Sequence, residues 1–240
     1  MSIHETPAAA DAHGEKAVQR QSVYVYEAPV RIWHWVNAFA ILTLALTGYF
    51  IGSPLPSAPG EASANFLMGY IRFIHFAAGQ VLVVFLILRV YWAFVGNTHA
   101  RQIFYVPFWS VHFWKEWLHE VLWYTFLARQ PTKYVGHNPL ARSTMFLLFT
   151  LPLSFMVSTG FALYSEGAGR DSWEYALFGW MFSIWPNSQD IHSHHHLGMW
   201  VVLVFTMVHI YVAVRDDIMS RQSIISSMIS GVQLFKDGEG

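Results

Sequence analysis

The sequence contains no cysteine among its 240 residues. That absence excludes disulfide bonds, thiolate catalysis, zinc–thiolate sites, cysteine-ligated iron–sulfur clusters and covalent haem attachment through a C-x-x-C-H motif. Charge is also scarce, because only 12% of the residues are Asp, Glu, Lys or Arg, against about a quarter in soluble domains. The formal net charge of −1 gives no reason to expect a nucleic acid or an anionic surface as a partner. Histidine, present 13 times, is the main residue left for binding a transition metal.

Hydrophobic residues make up 54% of the chain, and many of them lie in four long stretches with almost no charge. Each stretch has about 20 residues or more, enough for a helix to cross a hydrocarbon core of about 30 Å. In lipid only helices and closed barrels satisfy the backbone, and these stretches do not alternate as barrel strands do. The sequence therefore predicts an all-α integral membrane four-helix bundle, with spans at about 32–51, 73–95, 143–165 and 191–214.

Lysine and arginine between the spans predict the orientation. Three lie before the first span, five between the second and third, and three after the fourth, against two in the other loops. By the positive-inside rule, both termini and the middle loop are cytoplasmic. The first 22 residues are polar and rich in alanine, with no apolar core of a secretory signal. We therefore expect a disordered tail at 1–23, a membrane domain at 24–220 and a cytoplasmic tail at 221–240.

The middle loop contains a segment, 103–127, that is rich in Trp, Phe and Tyr. A fifth span is conceivable there, but charged residues and histidines interrupt it. The composition favours an amphipathic segment that lies along the cytoplasmic interface and extends the second or third span.

Ionisable side chains within membrane spans are candidates for function. His34 lies at the cytoplasmic start of the first span, His75 at the outer start of the second, and His209 towards the cytoplasmic end of the fourth. The fourth span also begins with a histidine cluster: His192, His194, His195 and His196. At about 100° per residue, His195 lies about 40° from the helix face of His209 and His194 about 60°. His195 therefore fits that face best, with His194 as the second choice.

Depth in the membrane predicts how these histidines pair. His195 and His209 are 14 residues apart, a rise of about 21 Å, so they lie near opposite membrane faces. In an antiparallel bundle His34 would then meet His209, and His75 would meet His195. Two such pairs suit two six-coordinate haems, whose filled axial positions favour electron transfer. The alternative is that each histidine only forms hydrogen bonds between helices.

Glycines near these histidines give weaker support. Gly48 lies on the same face of the first span as His34 but at the outer end, where a Cβ would crowd the second macrocycle. Other glycines also lie near the proposed outer site: Gly79, Gly160 and Gly198. Ordinary small-residue packing between helices explains them equally well.

Several longer segments identify a known family. They are YEAPVRIWHW (26–35), TGYFIG (47–52), MGYIRFIHFAAG (68–79), GHNPLA (136–141), TGFALYSE (159–166) and DIHSHHHLGMW (190–200). With them the chain resembles the b-type cytochrome subunit of membrane-bound nickel–iron uptake hydrogenases, within the bacterial dihaem cytochromes b. The match covers roughly residues 24–230.

The resemblance implies two non-covalent haems b, held by His34, His75, His195 and His209. It implies a bacterial inner (cytoplasmic) membrane location and a complex with the small and large subunits of a periplasm-facing hydrogenase. Electrons would pass from the iron–sulfur chain of that enzyme through both haems to a membrane quinone. Hydrogen oxidation would need the nickel–iron subunit, because this chain has no cysteine and no candidate nickel site.

The quinone site is predicted at His137 and Asn138, beside the cytoplasmic haem. Both belong to a GHNP turn that is also typical of a simple helix entry.

Two alternatives remain open from the sequence. The first keeps the haems but changes the partner to another periplasmic oxidoreductase, such as a formate dehydrogenase, or makes the chain a stand-alone quinone-linked cytochrome b. The second is a haem-free transporter or assembly factor. It is disfavoured because the predicted spans contain no carboxylate, whereas ion-coupled carriers usually have one.

Overall fold

The computed structural model describes residues 20–56, 59–61, 64–130, 132–220 and 223–236. The helices and strands, in chain order, are β1 (Arg20–Tyr24), α1 (Ala28–Gly52), α2 (Leu67–Val95), α3 (Val111–Tyr124), α4 (Pro139–Met145), a π-helical turn (Phe146–Thr150), α5 (Leu151–Ala168), α6 (Trp173–Phe178), α7 (Met181–Ile184), α8 (Ser188–Ser220), α9 (Ile224–Ser230) and β2 (Val232–Lys236).

Four helices in the described part of the chain are long and apolar enough to cross a membrane. They are α1, α2, the helix that runs through α4 and α5, and α8. Each contains one of the predicted spans. Many of their large apolar side chains point outward, among them Phe39, Phe73, Phe94 and Met207, as expected for helices surrounded by lipid. The prediction of an all-α protein with four membrane-spanning helices is confirmed.

The third span is one helix, Pro139–Ala168, with a π-helical turn in its middle. Pro152 follows that turn and lacks the N–H that would bond the carbonyl of Leu148 in an α-helix. A π-helical turn accommodates this lost bond without breaking the helix. Asn138 begins the span as its N-cap, with its side chain accepting a hydrogen bond from the backbone N–H of Ala141.

The aromatic middle segment forms a helix of its own, α3, rather than an extension of a neighbouring span. Ser110 caps its start by accepting a hydrogen bond from the backbone N–H of Phe113, so a new helix begins there. α3 has 14 residues, about 21 Å, which is shorter than a hydrocarbon core of about 30 Å. The expectation of an extended span was wrong, and a fifth span is excluded by length.

The chain divides into two compact units. The first unit contains the described residues of 1–32, 92–146 and 207–240, and the second contains those of 33–91 and 147–206.

In the first unit, β1 pairs antiparallel with β2, from Arg20 opposite Lys236 to Tyr24 opposite Val232. The backbone N–H groups of Val25 and Tyr26 extend this pairing to the Gly231 carbonyl, at 2.9 and 3.1 Å. The segments before α1 and after α8 therefore lie side by side. Composition predicted disorder through residue 23, but the strand at 20–24 is ordered by a partner more than 200 residues away in the sequence. The rest of that predicted tail, 1–19, lies outside the described residues.

In the second unit, the short helices α6 and α7 pack against α5 and the start of α8. Ala162, Met181 and Ile191 form a fully buried core there. Phe161 stacks on Phe178 with a ring-centroid distance of 5.2 Å. This packing fixes the first turns of α8, which carry the histidine cluster.

Candidate functional site

The second unit contains a cavity of about 970 Å³, lined by segments of α1, α2, α5 and α8. This volume is near the upper end of the range of roughly 300–1,000 Å³ typical of cofactor and ligand pockets. The lining is mostly apolar and includes the imidazoles of His75 and His195. A large apolar cavity with a few placed polar groups is the usual form of a cofactor site.

His75 on α2 is oriented by Thr47 on α1. Its Nδ1 lies 2.9 Å from Thr47 Oγ1, and the Thr47 hydroxyl donates its proton to the Thr43 carbonyl at 2.6 Å. A hydroxyl has one proton, so an oxygen that donates to a carbonyl must accept from its other partner. Nδ1 of His75 therefore carries the hydrogen, and the lone pair of the neutral ring is at Nε2.

His195 on α8 has a corresponding threonine, provided by α5. Its Nδ1 lies 2.8 Å from Thr159 Oγ1, and the Thr159 hydroxyl donates to the Phe155 carbonyl at 2.9 Å. By the same proton count, Nδ1 carries the hydrogen and Nε2 the lone pair. Metal-ligating histidines usually donate their second ring N–H in this way.

The two imidazoles lie close together across the cavity. Their ring centroids are 6.4 Å apart, and their planes make an angle of 71°. Metal–imidazole bonds of about 2.0–2.1 Å, with about one ångström from each nitrogen to its ring centre, set two opposed rings roughly 6 Å apart. The centroid separation of His75 and His195 therefore matches that of two imidazoles bound to one metal ion.

The donor set favours haem over a bare metal ion. Within the described ranges, no group of three or more His, Asp or Glu side chains is placed to hold a metal ion. Two neutral imidazoles suit a metal that brings its other ligands with it, as haem iron does when a protein supplies only axial ligands. Arg72 also lines the cavity, so a cation is available for acidic substituents of such a cofactor.

Gly48 and Gly160 leave room for these two rings. A Cβ at Gly48 would lie 3.2 Å from Cε1 of His75, and one at Gly160 would lie 3.2 Å from Cε1 of His195. Contacts this short would force the imidazole to shift. A Cβ at Gly48 would therefore crowd the ring of His75, and the predicted crowding of a macrocycle by that Cβ stays a prediction. Gly79 differs, because a Cβ there would meet only Leu44, at 4.0 Å.

The structure distinguishes His195 from its neighbour His194. Nδ1 of His194 lies 2.7 Å from the Asp190 carbonyl, and its ring packs on Trp185 at a centroid distance of 4.8 Å. His195, by contrast, lines the cavity with His75.

The remaining predicted ligands, His34 on α1 and His209 on α8, are both half-buried. They belong to different units, and their pairing stays a prediction.

A second polar cluster lies in the first unit, between α3, the start of α4 and α8. The Asn138 side chain accepts from the backbone N–H of Ala141 at 2.6 Å. Its Nδ2 donates to Glu120 Oε2 at 3.3 Å and to the Tyr124 hydroxyl at 3.4 Å. The Tyr124 hydroxyl in turn donates to Asp216. Asn138 is therefore at once a helix cap and a hydrogen-bond donor to one carboxylate and one phenol.

Glu120 in this cluster is only 3% exposed. Burial, and secondly the negative charge of Asp216, raise the pKa of the Glu120 carboxyl to about 7. Burial also raises the pKa of the Tyr124 phenol, which therefore keeps its proton. A carboxyl with a pKa near neutrality can both take up and release a proton under ordinary conditions.

His137, the other residue of the predicted quinone site, has different partners. Its backbone N–H donates to Gln102 Oε1 at 3.0 Å, and its Nδ1 lies 3.5 Å from the Tyr26 hydroxyl. These contacts connect the GHNP turn to the segment before α1 and to the loop after α2.

Thr47, Thr159 and Glu120 are candidate functional residues that the sequence analysis did not assign. The two threonines each precede one of the glycines discussed above, and this repeated Thr–Gly pair is a signal that could have identified them. Glu120 was interpreted only as a charge that interrupts an aromatic segment.

Comparison with known proteins is consistent with this site. Residues 25–231 match the family model described as prokaryotic cytochrome b561. The chain is 86% identical over 239 residues, covering 100% of both chains, to the "Probable Ni/Fe-hydrogenase B-type cytochrome subunit" of Rhizobium leguminosarum bv. viciae. A protein of the same name from Cupriavidus necator is 55% identical over 217 residues, covering 90% of this chain and 89% of that one. The "Probable Ni/Fe-hydrogenase 1 B-type cytochrome subunit" of Escherichia coli (strain K12) is 49% identical over 225 residues, covering 91% of this chain and 93% of that one. Since the family model spans most of the sequence and these relatives align over almost their whole length, the chain belongs to the prokaryotic cytochrome b561 family.

Proposed function

We propose that this protein is the membrane electron-transfer subunit of a nickel–iron hydrogenase and carries two haems b. The observation that carries the proposal is the His75–His195 pair, with both Nδ1 hydrogens bonded to threonines and both rings on one large apolar cavity. Haem b supplies one-electron redox chemistry when it is bound. His34 and His209 are the proposed axial ligands of the second haem, on the helix-face and depth arguments from the sequence.

The ligands proposed for each haem favour electron transfer over catalysis at iron. Two imidazoles would hold each haem, and they would leave no open position on it for oxygen or substrate. The chain has no cysteine, so the ligands of any iron–sulfur cluster in the complex must come from another subunit. The names of the relatives point to hydrogenase subunits as those partners.

Quinone reduction consumes two electrons and two protons for each quinol formed. We place the quinone at the cluster of Asn138, Tyr124 and Glu120, in which Glu120 offers a carboxyl with a pKa of about 7 that can release a proton. Asp216, in the same cluster, follows His209 by seven residues. Seven residues make nearly two helical turns, so Asp216 lies on the same face of α8 about 10 Å beyond His209. The cluster is thus within reach of the second proposed haem.

We also propose that this cluster faces the cytoplasm, in a bacterial inner membrane. The pairing of β1 with β2 places the segments before α1 and after α8 on the same side. The excess of Lys and Arg in the same parts of the chain supports a cytoplasmic location for that side. Protons for quinol formation would then be taken from the cytoplasm.

Haem content is the first test. A pyridine haemochrome assay on the detergent-purified chain, produced with haem available, should give haem b at about two per polypeptide. A ratio near one would contradict the second pair, His34 and His209. Absence of haem would refute the electron-transfer function as a whole.

The partner is tested by co-purification. A tagged chain isolated from membranes in mild detergent should bring down a nickel–iron enzyme that reduces the haems with hydrogen. Recovery of a formate dehydrogenase in its place, with formate as the reductant that works, would favour the alternative partner.

Asn138→Ser tests the quinone site without removing the helix cap. Serine is about as good an N-cap as asparagine, but it lacks the amide group that donates to Glu120 and Tyr124. We expect hydrogen-to-quinone turnover to fall about tenfold. A hydrogen bond to a charged group contributes about 1.5 kcal/mol, and its loss corresponds to roughly that factor. Reduction of the haems by hydrogen should be unchanged. Unaltered quinone turnover in this variant would remove Asn138 from the site.

A further inference from the structure

The dipeptide Thr–Gly occurs twice in the sequence, as Thr47–Gly48 in α1 and as Thr159–Gly160 in α5. Each Thr–Gly pair contacts one histidine of the His75–His195 pair. The threonine oxygen lies 2.9 or 2.8 Å from Nδ1 of that histidine, and a Cβ on the glycine would lie 3.2 Å from Cε1 of the same ring. Two different helix pairs therefore hold their histidines with the same two residues in the same roles.

The two histidine contacts go beyond ordinary helix packing. Thr43 and Thr206 also donate to carbonyls four residues earlier, at 2.9 and 2.8 Å, as serine and threonine often do in membrane helices. Thr47 and Thr159 make that same bond and also contact an imidazole nitrogen. Thr159 has no exposed surface and Thr47 is 9% exposed, so water does not easily replace them as acceptors.

We propose that each Thr–Gly pair is a positioning device for one axial histidine of the His75–His195 haem, and that the two threonines together lower the reduction potential of that haem. This inference rests on the proposed haem site. The threonine holds the hydrogen on Nδ1, which leaves Nε2 with the lone pair for iron. The glycine allows the ring to approach its helix closely enough for that hydrogen bond to form.

The direction of the effect follows from charge. An acceptor at Nδ1–H places additional electron density on the imidazole and makes Nε2 a stronger donor. A stronger axial donor stabilises ferric iron more than ferrous iron, so the reduction potential falls. Hydrogen bonds beyond the ligands are among the main factors by which a protein sets a haem potential. Loss of either threonine hydroxyl should therefore raise the potential.

The hydrogen bonds also fix the angle between the ring planes, which is 71°. In low-spin ferric haem with two imidazole ligands, the largest g-value in the electron paramagnetic resonance (EPR) spectrum increases as the ring planes approach perpendicular. A ring released from its threonine can rotate and change that g-value. The EPR spectrum thus reports the relative orientation of the two rings.

The test uses the purified complex with Thr47→Val and Thr159→Val, which keep the side-chain shape and remove the hydroxyl. The matched controls are Thr43→Val, on the same helix as Thr47, and Thr206→Val on α8. The hydroxyls of Thr43 and Thr206 donate to a backbone carbonyl in the same way, but neither is the threonine that contacts His75 or His195. Redox titration should show a higher midpoint potential for one haem in each test variant, a larger rise in the double variant, and a changed largest g-value. The controls should match the wild type.

Serine variants separate the hydroxyl from packing. Thr47→Ser and Thr159→Ser keep the acceptor and should keep the wild-type potential and g-value. The valine variants could lose the haem altogether. In that case, serine variants that keep the haem with the wild-type potential and g-value support the proposal. If serine and valine variants change to the same extent, or if Thr47→Val and Thr159→Val match Thr43→Val, the proposal is overturned.

The glycine is tested with Gly160→Ala against Gly167→Ala on the same helix. Alanine favours a helix over glycine by about 1 kcal/mol, and a Cβ at Gly167 would meet no atom within 4 Å. We expect Gly167→Ala to leave both haem signals unchanged and Gly160→Ala to shift or remove the signal of one haem. Equal behaviour of the two variants would remove the glycine from the proposal. His75→Leu tests the proposed function itself. If this variant contains as much haem as the wild type, no haem depends on His75 and the proposed function is refuted.

Discussion

On the proposed function, His195→Leu should lower the haem content from two to one per chain and abolish hydrogen-driven quinone reduction. The leucine removes one imidazole of the His75–His195 pair, whose ring centroids are 6.4 Å apart in the cavity. In this variant only His75 would remain to hold the proposed haem, which would then bind weakly and be unable to supply its redox chemistry. Haemochrome content and hydrogen-to-quinone turnover of the purified complex measure both effects.

His194→Leu is the matched control, one residue away on the same helix. His194 packs on Trp185 and contacts the Asp190 carbonyl, and leucine can replace most of that apolar contact. We expect two haems and near-normal turnover in this variant. The reverse pattern, with His194→Leu inactive and His195→Leu active, would contradict the proposed ligand assignment.

Helix periodicity alone favours His195 over His194 only slightly. The sequence places His195 only about 20° closer than His194 to the face of His209, which leaves both possible. The structure separates them by their neighbours, since one contacts Thr159 and the other Trp185. Those contacts depend on how α5 and α7 pack against α8, and no local pattern encodes that packing.

Membrane spans are predictable because lipid acts on every residue of a span, so the signal accumulates over about 20 positions. The pairing of β1 with β2 is different. It joins two five-residue segments at opposite ends of the chain. Neither segment has a sequence pattern that predicts the other as its pairing partner. The same holds for Glu120, whose importance comes from its burial and from Asp216, on a helix far along the sequence.

Glu120→Gln should reduce hydrogen-to-quinone turnover by roughly 100-fold, the lower end of the 10²–10⁴ that a positioned acid or base contributes. The Glu120 carboxyl has a pKa of about 7 because it is buried and, secondly, because it is near the negative charge of Asp216. Below about pH 7 it is mostly protonated and can donate to a quinone that is being reduced. Above about pH 7 it is mostly ionised and cannot donate. Wild-type turnover should therefore fall as the pH rises through 7, and this dependence should be absent in Glu120→Gln.

Two comparisons make this last prediction specific. Glu116→Gln changes a more exposed carboxylate one turn earlier on α3. It should keep the turnover near wild type and move the fall in turnover to slightly lower pH, because the negative charge of Glu116 contributes to the raised pKa of Glu120. Reduction of the haems by hydrogen should be normal in Glu120→Gln, because a proton is needed only where quinol forms. The titratable groups that face Glu120 are Asp216, Tyr124, Tyr134, Glu116 and His119, and the Tyr124 phenol stays protonated across this pH range because burial raises its pKa. A Glu120→Gln variant that retains the fall in turnover around pH 7 would assign that titration to another of these groups and exclude Glu120 as the proton donor.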